Sequence, residues 1–570
     1  MCRASGRCRE VPSGVAHPVL TSVIAALLAT ALTLTTACSA DIGGNVSPAP
    51  PAPVIRAAAI EAHMRFLASD LLEGREAGTR GYDLAASYVA TQFHLLGLRP
   101  AGDAGTFQQA VPLLSHWLVR EGTRMTVRTP RGSRNLVFGD DFVVSPSPAD
   151  TTSRVSSGAV FVGYGIDAPA FKHNDYAGLD VRGKVVVALS GYPVALPGEE
   201  GAHHGSSREK LKTAASHGAT GFVQIYTERY EKVRPWTRVL STIDEMSMAW
   251  IGPDGRAFEP AAGIDIVASM SPAGGASLFD GATRSYADVR TEAATGAPKG
   301  FPLAVSLEIA QASRHERRAS ANVAAVLEGS DAKLRDEYVV VLGHLDHEGI
   351  GTPVNGDRIY NGALDNAAGI AGMLEAARSL ASQSVAPRRS VLFLAVTAEE
   401  KGLVGSEYFA AHPTVPIGSI VAAVNIDMPV LLYDFTDVIA FGAQHSTIQR
   451  ALEAALPQAG LTLSPDPMPE QVLFVRSDHY SFVRQGVPSI FLATGWNSPA
   501  GVGEGGKVFN GFLAGAYHSP QDDLNQPINF EAGAKFATAN ALILKSIADA
   551  DERPRWNDGD FFGSLFGGTR

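Results

Sequence analysis

The chain has 570 residues, 45% of them hydrophobic and 18% charged, which excludes a disordered polypeptide and gives room for two globular units. Its net charge of −11 does not favour nucleic acid or anionic lipid as a partner. All three cysteines (Cys2, Cys8 and Cys38) sit near the start, so the body of the chain has neither disulfides nor thiolate metal sites, and any metal must be held by His, Asp and Glu.

In chain order, residues 1–38 read as an export signal. Arg3, Arg7 and Arg9 form a basic start, and Val19 to Leu34 is an apolar run too short and weakly flanked for a stable membrane span. Leu34-Thr35-Thr36-Ala37-Cys38 resembles a bacterial lipoprotein processing site, with its leucine one residue further from the cysteine than that pattern has it. Two expectations stay open: lipidation of Cys38, which would anchor the chain to a membrane, or ordinary cleavage near Ala37 or Ala40. Either way the chain is expected to be exported, to the cell envelope or to the periplasmic or extracellular space.

Residues 39–55 are a polar, proline-rich tether. Ile60, Met64 and Leu67 then mark one helix, and a second is predicted from Gly81 to Leu96 with Leu84, Tyr88, Val89, Phe93 and Leu96 inward. A composition change at 145–154 opens a run of short elements. Strands are predicted at 159–165, 184–191 and 221–227, with a helix at 207–217, making a smaller unit that ends near 295. His203 and His204 fall in a glycine-flanked loop and are expected to be solvated.

From 337 onward strands and helices alternate, the pattern of a mostly parallel sheet. Strands are predicted at 337–344, 390–396, 419–426 and 488–494, with helices at 366–382, 404–411 and 530–548.

The chemistry-bearing residues cluster at the ends of these strands. His344 and Asp346 end the first, Asp365 opens the following helix, Glu399 and Glu400 end the next strand, and Asp427 ends the one after. Ligands gather outside the carboxyl ends of strands in an open parallel sheet. His518 arrives from a late loop. His344, Asp365, Asp427, His518 and one of the paired glutamates suit two zinc ions with a shared carboxylate, each ion keeping an open position for water. Such a pair can hold a hydroxide between them and polarise a peptide carbonyl. Because Glu399 and Glu400 are adjacent, one can bind metal while the other faces substrate as a general base. Asp346 is placed to accept the spare imidazole proton of His344. Taken singly the residues have plainer readings: Asp365 as a helix N-cap, the two glutamates as partners of a helix dipole, Asp427 as a turn residue, His518 as structural. Arg476 is read as a carbonyl or structural contact in preference to a clamp on a terminal carboxylate, and its plainer reading is an ion pair with Asp478. His347 and His479 are expected to be supporting or structural, and Asp357 to be on the surface.

GHLDHEG, NGALDNAAG, AVTAEEKGLVGS, NIDM, RSDHYSF and YHSPQDD resemble the successive motifs of the co-catalytic zinc aminopeptidases of peptidase clan MH, over about residues 320–550. HMRFLASDLLEGREAGTRG is similar to that family's amino-terminal helices. VFVGYGIDAP, DYAGLDVRGKVVV and HGATGFVQIY are similar to an inserted protease-associated domain. The resemblance implies an α/β fold, a parallel-centred mixed sheet flanked by helices, with a smaller β-rich insert. It places a zinc peptidase domain at 56–145 and 297–550, the insert at 146–296 and a tail at 551–570. It assigns His344 and Asp427 to one zinc, Glu400 and His518 to the other, and Asp365 to both. Glu399 becomes the base, Asp346 its support, and Tyr517 a residue that steadies the oxyanion. The implied substrate is a peptide with a free amino end. The alternatives are a carboxypeptidase or dipeptidase of the same fold, a glutaminyl cyclase, or a non-catalytic binding ectodomain. The segment 495–516 has no counterpart in these motifs and is expected to be a pocket wall or lid.

Overall fold

In the computed structural model, residues 54–569 are described, apart from Pro130. The export signal, Cys38 and nearly all of the tether lie outside the described residues. Among those described, no helix is long and apolar enough to cross a membrane.

Alternation of side chains organises the half of the chain from Tyr338 onward. Strand β7 (Tyr338–His344) and strand β8 (Ser390–Val396) are apolar almost throughout. A strand's side chains point to opposite faces in turn, so a strand apolar at every position needs cover on both sides. Val339, Val341, Val391, Phe393 and Ala395 face one layer of packing, and Val340, Leu342, Leu392, Leu394 and Val396 face the other. Helices α1 (Ala57–Leu67), α2 (Arg80–Leu95), α5 (Ala368–Ala381) and α6 (Phe530–Asp549) cover the first face, with Ile60, Phe93, Leu374 and Leu544 buried in it. Each such side chain, fully buried, stabilises the fold by about 1.5–3 kcal/mol. In α2 the inward residues are Tyr82, Ala85, Ala86, Val89 and Phe93, whereas Leu84, expected inside, is exposed. The inward stripe runs through small alanines one position away from it.

The sheet has 16 strands. Strands β7, β8, β9 (Ile420–Ile426) and β11 (Ser489–Thr494) are parallel neighbours in the order β11-β9-β7-β8, and β10 (Asp437–Phe441) runs antiparallel to β11. The fold is therefore a mixed, parallel-centred sheet flanked by helices, as expected.

Two long strands link this half to the insert. Strand β6 (Phe301–Leu327) pairs antiparallel with β8 through Val323–Leu327, and with β2 (Thr152–Phe161) through Phe301–Ala312. Strand β1 (Gln108–Thr129) runs antiparallel along β6. Beyond β2 lie β3 (Val185–Leu189), β4 (Gly221–Ile225) and β5 (Ile266–Met270), all parallel in turn. These strands have their own core, built on Phe161, Val187, Val223 and Ile225. Leu118, Met125, Phe142 and Val144 from before residue 146, and Val305, Leu307 and Ile309 from after 296, pack into the same cluster.

Two short helices of the insert reach the half from Tyr338 onward: α3 (Gly198–Gly205) and α4 (Trp236–Thr242). His203, expected to be solvated, is buried on α3, where its Nδ1 lies 2.7 Å from the Tyr480 hydroxyl. Residues 551–570, expected as a tail, carry helix α7 (Phe561–Phe566). Phe562 of α7 is fully buried among Phe474, Tyr480 and His445, and Phe561 touches Phe171 and His204 of the insert.

Candidate metal centre

The carboxyl ends of β7, β8 and β9 open on one point. His344 ends β7, and its Nε2 lies 3.1 Å from Asp365 Oδ1 and 3.1 Å from Asp427 Oδ1. His518 Nε2 lies 3.3 Å from Asp365 Oδ2 and 3.1 Å from Glu400 Oε2. Asp365 thus turns one oxygen to each histidine. All five residues proposed from the sequence as metal ligands are in this cluster.

The donor set fits a metal. An imidazole nitrogen holds one proton or one lone pair, yet each Nε2 faces two carboxylate oxygens, as ligands around a shared cation do. None of Asp365, Glu399, Glu400 and Asp427 forms an ion pair with a lysine or arginine among the described residues, although Asp365 is only 3% exposed. Buried anions need a counter-charge.

Local structure fixes each ligand. The helix expected from Asn366 begins at Ala368. Asp365 is not its N-cap, because it lies before that start in an irregular turn, with φ −112° and ψ 88°. The Asn366 side chain donates to Ile426 O (2.9 Å) and accepts from the Gly369 (3.1 Å) and Met428 (3.1 Å) amides, tying the Asp365 turn to the end of β9 where Asp427 sits. A Cβ on Gly369 would stand 2.0 Å from Asn366 Oδ1, so only glycine fits there. Ser477 donates to Asp427 Oδ2 at 2.6 Å and accepts from Asn425 at 2.7 Å.

Asp346 acts differently from the sequence expectation. The Nδ1 of His344 faces the backbone carbonyl of Asp346 at 3.1 Å, not its carboxylate. That carboxylate instead accepts the amides of Glu399 (3.1 Å) and Glu400 (3.3 Å), so it shapes the turn after β8. Burial pushes its pKa up to about 6. Glu399 faces the same centre, and burial, helped by Glu400, Asp427 and Asp478, raises its carboxyl well above the usual range.

Several residues that hold the site were not singled out from the sequence. Arg75, only 1% exposed, donates to the carbonyls of Leu67, Leu345, Asn361 and Gly362, joining the loops around Asp346 and Asp365. Asp522 accepts the amides of Leu364 and Asp365. His347, read from the sequence as supporting or structural, has its Nδ1 2.7 Å from Glu400 Oε1. Arg75, His347 and Asp522 each lie inside a quoted motif, and that was the available signal. Arg476 does not pair with Asp478, which is buried, and donates to Gln471 O at 3.2 Å.

Two cavities meet at the centre. A large one, about 990 Å³, lies between the insert and the half that carries the centre and is lined by Arg238, Glu400, Met428, Arg476, Tyr517 and His518 among others. A small one, about 70 Å³, continues inward past His344 and Asp427 to Phe441, Phe491, Phe509 and Leu473. Tyr517 lines both, its ring 3.9 Å from that of His518. Helix Glu504–Gly515, within the segment read as a wall or lid, supplies Phe509 and Leu513 to the wall.

A parallel-centred sheet with two histidines sharing a carboxylate at its strand ends defines an α/β fold with a candidate metal centre at the carboxyl edge of the sheet. Residues 322–543 match the family described as Peptidase family M28. It is 28% identical over 273 residues to a probable leucine aminopeptidase 2 of Aspergillus oryzae, covering 44% of this chain and 50% of that protein. It is 32% identical over 139 residues to aminopeptidase NAALADL1 of Mus musculus, 23% of this chain and 17% of that one. The chain thus spans half or less of the length of these curated relatives. The aminopeptidase of Aneurinibacillus sp. strain AM-1 superposes with a TM-score of 0.50 at 19% identity, over 88% of this chain and 95% of that one, which shows the shared fold.

Proposed function

We propose that the chain is an exported zinc-dependent aminopeptidase that holds two zinc ions and removes residues from the amino end of peptides. The observation that carries this reading is the placing of Asp365 between His344 and His518, with Asp427 and Glu400 completing the two sides. In this reading His344, Asp427 and Asp365 hold one ion, and Glu400, His518 and Asp365 the other. Bound zinc supplies Lewis acidity toward the scissile carbonyl and the attacking water.

The chain's own groups do the rest. Glu399 takes a proton from the water and passes it to the leaving amine, a role its place at the centre beside His344 and Glu400 suits. Tyr517 steadies the carbonyl oxygen as charge develops on it. Asp346, Asp365, Glu399, Glu400 and Asp427 outnumber the charges of two divalent ions, leaving a negative field for the substrate ammonium. The small apolar cavity of Phe441, Phe491 and Phe509 receives the side chain of the first residue, so a compact apolar residue is preferred.

The test is a zinc count on purified protein with a screen of aminoacyl amides and their amino-blocked counterparts. Two zinc ions per chain and cleavage of free-amino substrates alone support the reading. Cleavage of amino-blocked peptides with a free carboxyl end would replace it with a carboxypeptidase. One zinc with cyclisation of amino-terminal glutamine would point to a glutaminyl cyclase.

A further inference from the structure

The roof of the large cavity carries an arginine with no acidic partner. Arg238, on α4 of the insert, extends toward the metal centre. Its Nη2 lies 3.5 Å from His518 Nδ1, and its Cζ lies 5.5 Å from the centre of the Tyr517 ring. It is exposed in the cavity and, among the described residues, forms no ion pair. Of the other cations that line the cavity, Lys401 is matched by Glu348 and Arg290 by Glu228, while Arg229, Lys232 and Arg234 form no ion pair among the described residues and lack Arg238's contact with His518. Glu245 feels the charge of Arg238 without reaching it, and burial raises Glu245's own carboxyl. Arg476 lines the same mouth, likewise without a carboxylate.

Distance decides what this cation can meet. Arg238 approaches the nitrogen of His518 that points away from Asp365 and Glu400, on which Glu348, itself paired with Lys401, also borders at 3.7 Å. Its Nη2 therefore stands an imidazole ring plus a 3.5 Å contact beyond the nitrogen that faces the centre, and a carboxylate hydrogen-bonded to it would lie between the two, within the roughly 3.5 Å span of one residue from the bond being cut. An anion there fits the residue just after that bond. A guanidinium donates through a fork that matches a carboxylate's two oxygens.

We infer that Arg238 binds a carboxylate on the residue following the scissile bond, so that the favoured substrates present an anion there. Dipeptides supply it with their own carboxyl end, and longer peptides with an Asp or Glu in second place. The inference rests on the aminopeptidase reading above and names the substrate class for it.

The experiment compares the wild-type protein with Arg238→Ala and Arg238→Lys, zinc content being checked in each. The substrates are Leu-Ala, Leu-Ala-amide, Leu-Gln-amide and Leu-Glu-amide. The wild type should favour substrates with a carboxylate. Arg238→Ala should raise KM for them by roughly 10- to 100-fold, the range of a charge-assisted hydrogen bond. The two uncharged amides should change less than about threefold, and Arg238→Lys should recover part of the loss. A selective effect on Leu-Ala identifies the terminal carboxylate as the source, and one on Leu-Glu-amide the side chain. An equal loss on all four substrates, or none, would overturn the inference while leaving the aminopeptidase reading in place. A wild type that cleaves none of the four would overturn both.

Discussion

The carboxylate of Asp522 accepts two consecutive amides, Leu364 N–H at 2.9 Å and Asp365 N–H at 3.0 Å. It thereby aims the residue that both histidines share. The loop that carries His518 therefore also sets the angle of Asp365, so two sides of the centre move together.

Asp522→Asn keeps the size and removes one of these acceptors, since the amide nitrogen would face an N–H. Zinc affinity should fall roughly 10- to 100-fold, the usual effect of losing a support behind a ligand. Chelator competition measures it, and an unchanged affinity would show that the loop holds its shape without Asp522.

Glu399→Gln should keep both zinc ions and lose on the order of 10²–10⁴ in turnover, because the base is removed and no ligand is. Metal analysis with kcat decides between outcomes. Near-normal turnover removes Glu399 from the role, and loss of metal means that the two adjacent glutamates have exchanged parts.

His445 joins three parts of the chain. Its Nδ1 meets Asp560 of the C-terminal segment at 2.5 Å, and its Nε2 meets Glu199 of the insert helix α3. Burial disfavours the charged ring, but hydrogen bonds to Asp560 and Glu199 outweigh it and hold the pKa up at about 9. A folded-state value above the unfolded one, about 6.5, gives stability that is full below pH 6.5 and lost as pH rises through 9. The loss should be on the order of 2–3 kcal/mol. Urea midpoints between pH 6 and pH 9.5 should fall in the wild type and stay flatter in His445→Gln. Parallel curves would sink the assignment.

Phe562→Ala should cost about 3–5 kcal/mol, because a fully buried ring leaves a cavity between Phe474 and Tyr480. Thermal unfolding would show it. A shift as small as that of a surface substitution would mean that α7 contributes little to the seam.

Strands β7, β8, β9 and β11 were legible because each is an unbroken apolar run, and the cluster of histidines and carboxylates was legible because most of its members fall at the ends of those runs. What escaped was non-local or irregular. Leu84 was misread because small alanines, not large residues, mark the buried stripe of α2. The helix after Asp365 starts later than its pattern because the ligand needs an irregular turn. The support for His344 comes from a backbone carbonyl, which no residue type announces. The burial of His203 depends on Tyr480, 277 positions away, and the approach of Arg238 to His518 spans 280.

The seam between the insert and the half that carries the centre is sealed by residues far downstream of both of its walls. Phe561 and Phe562 fill a gap whose walls come from residues such as Phe171, His204, Phe474 and Tyr480, far earlier in the chain. Because synthesis runs from the amino end, the two halves can each gather their own strands before the wedge that locks them exists. Final closure over the centre therefore waits for Phe561 and Phe562 to reach that gap. A chain cut short before Asp560 would keep every proposed zinc ligand yet lack the part that fastens the roof in place.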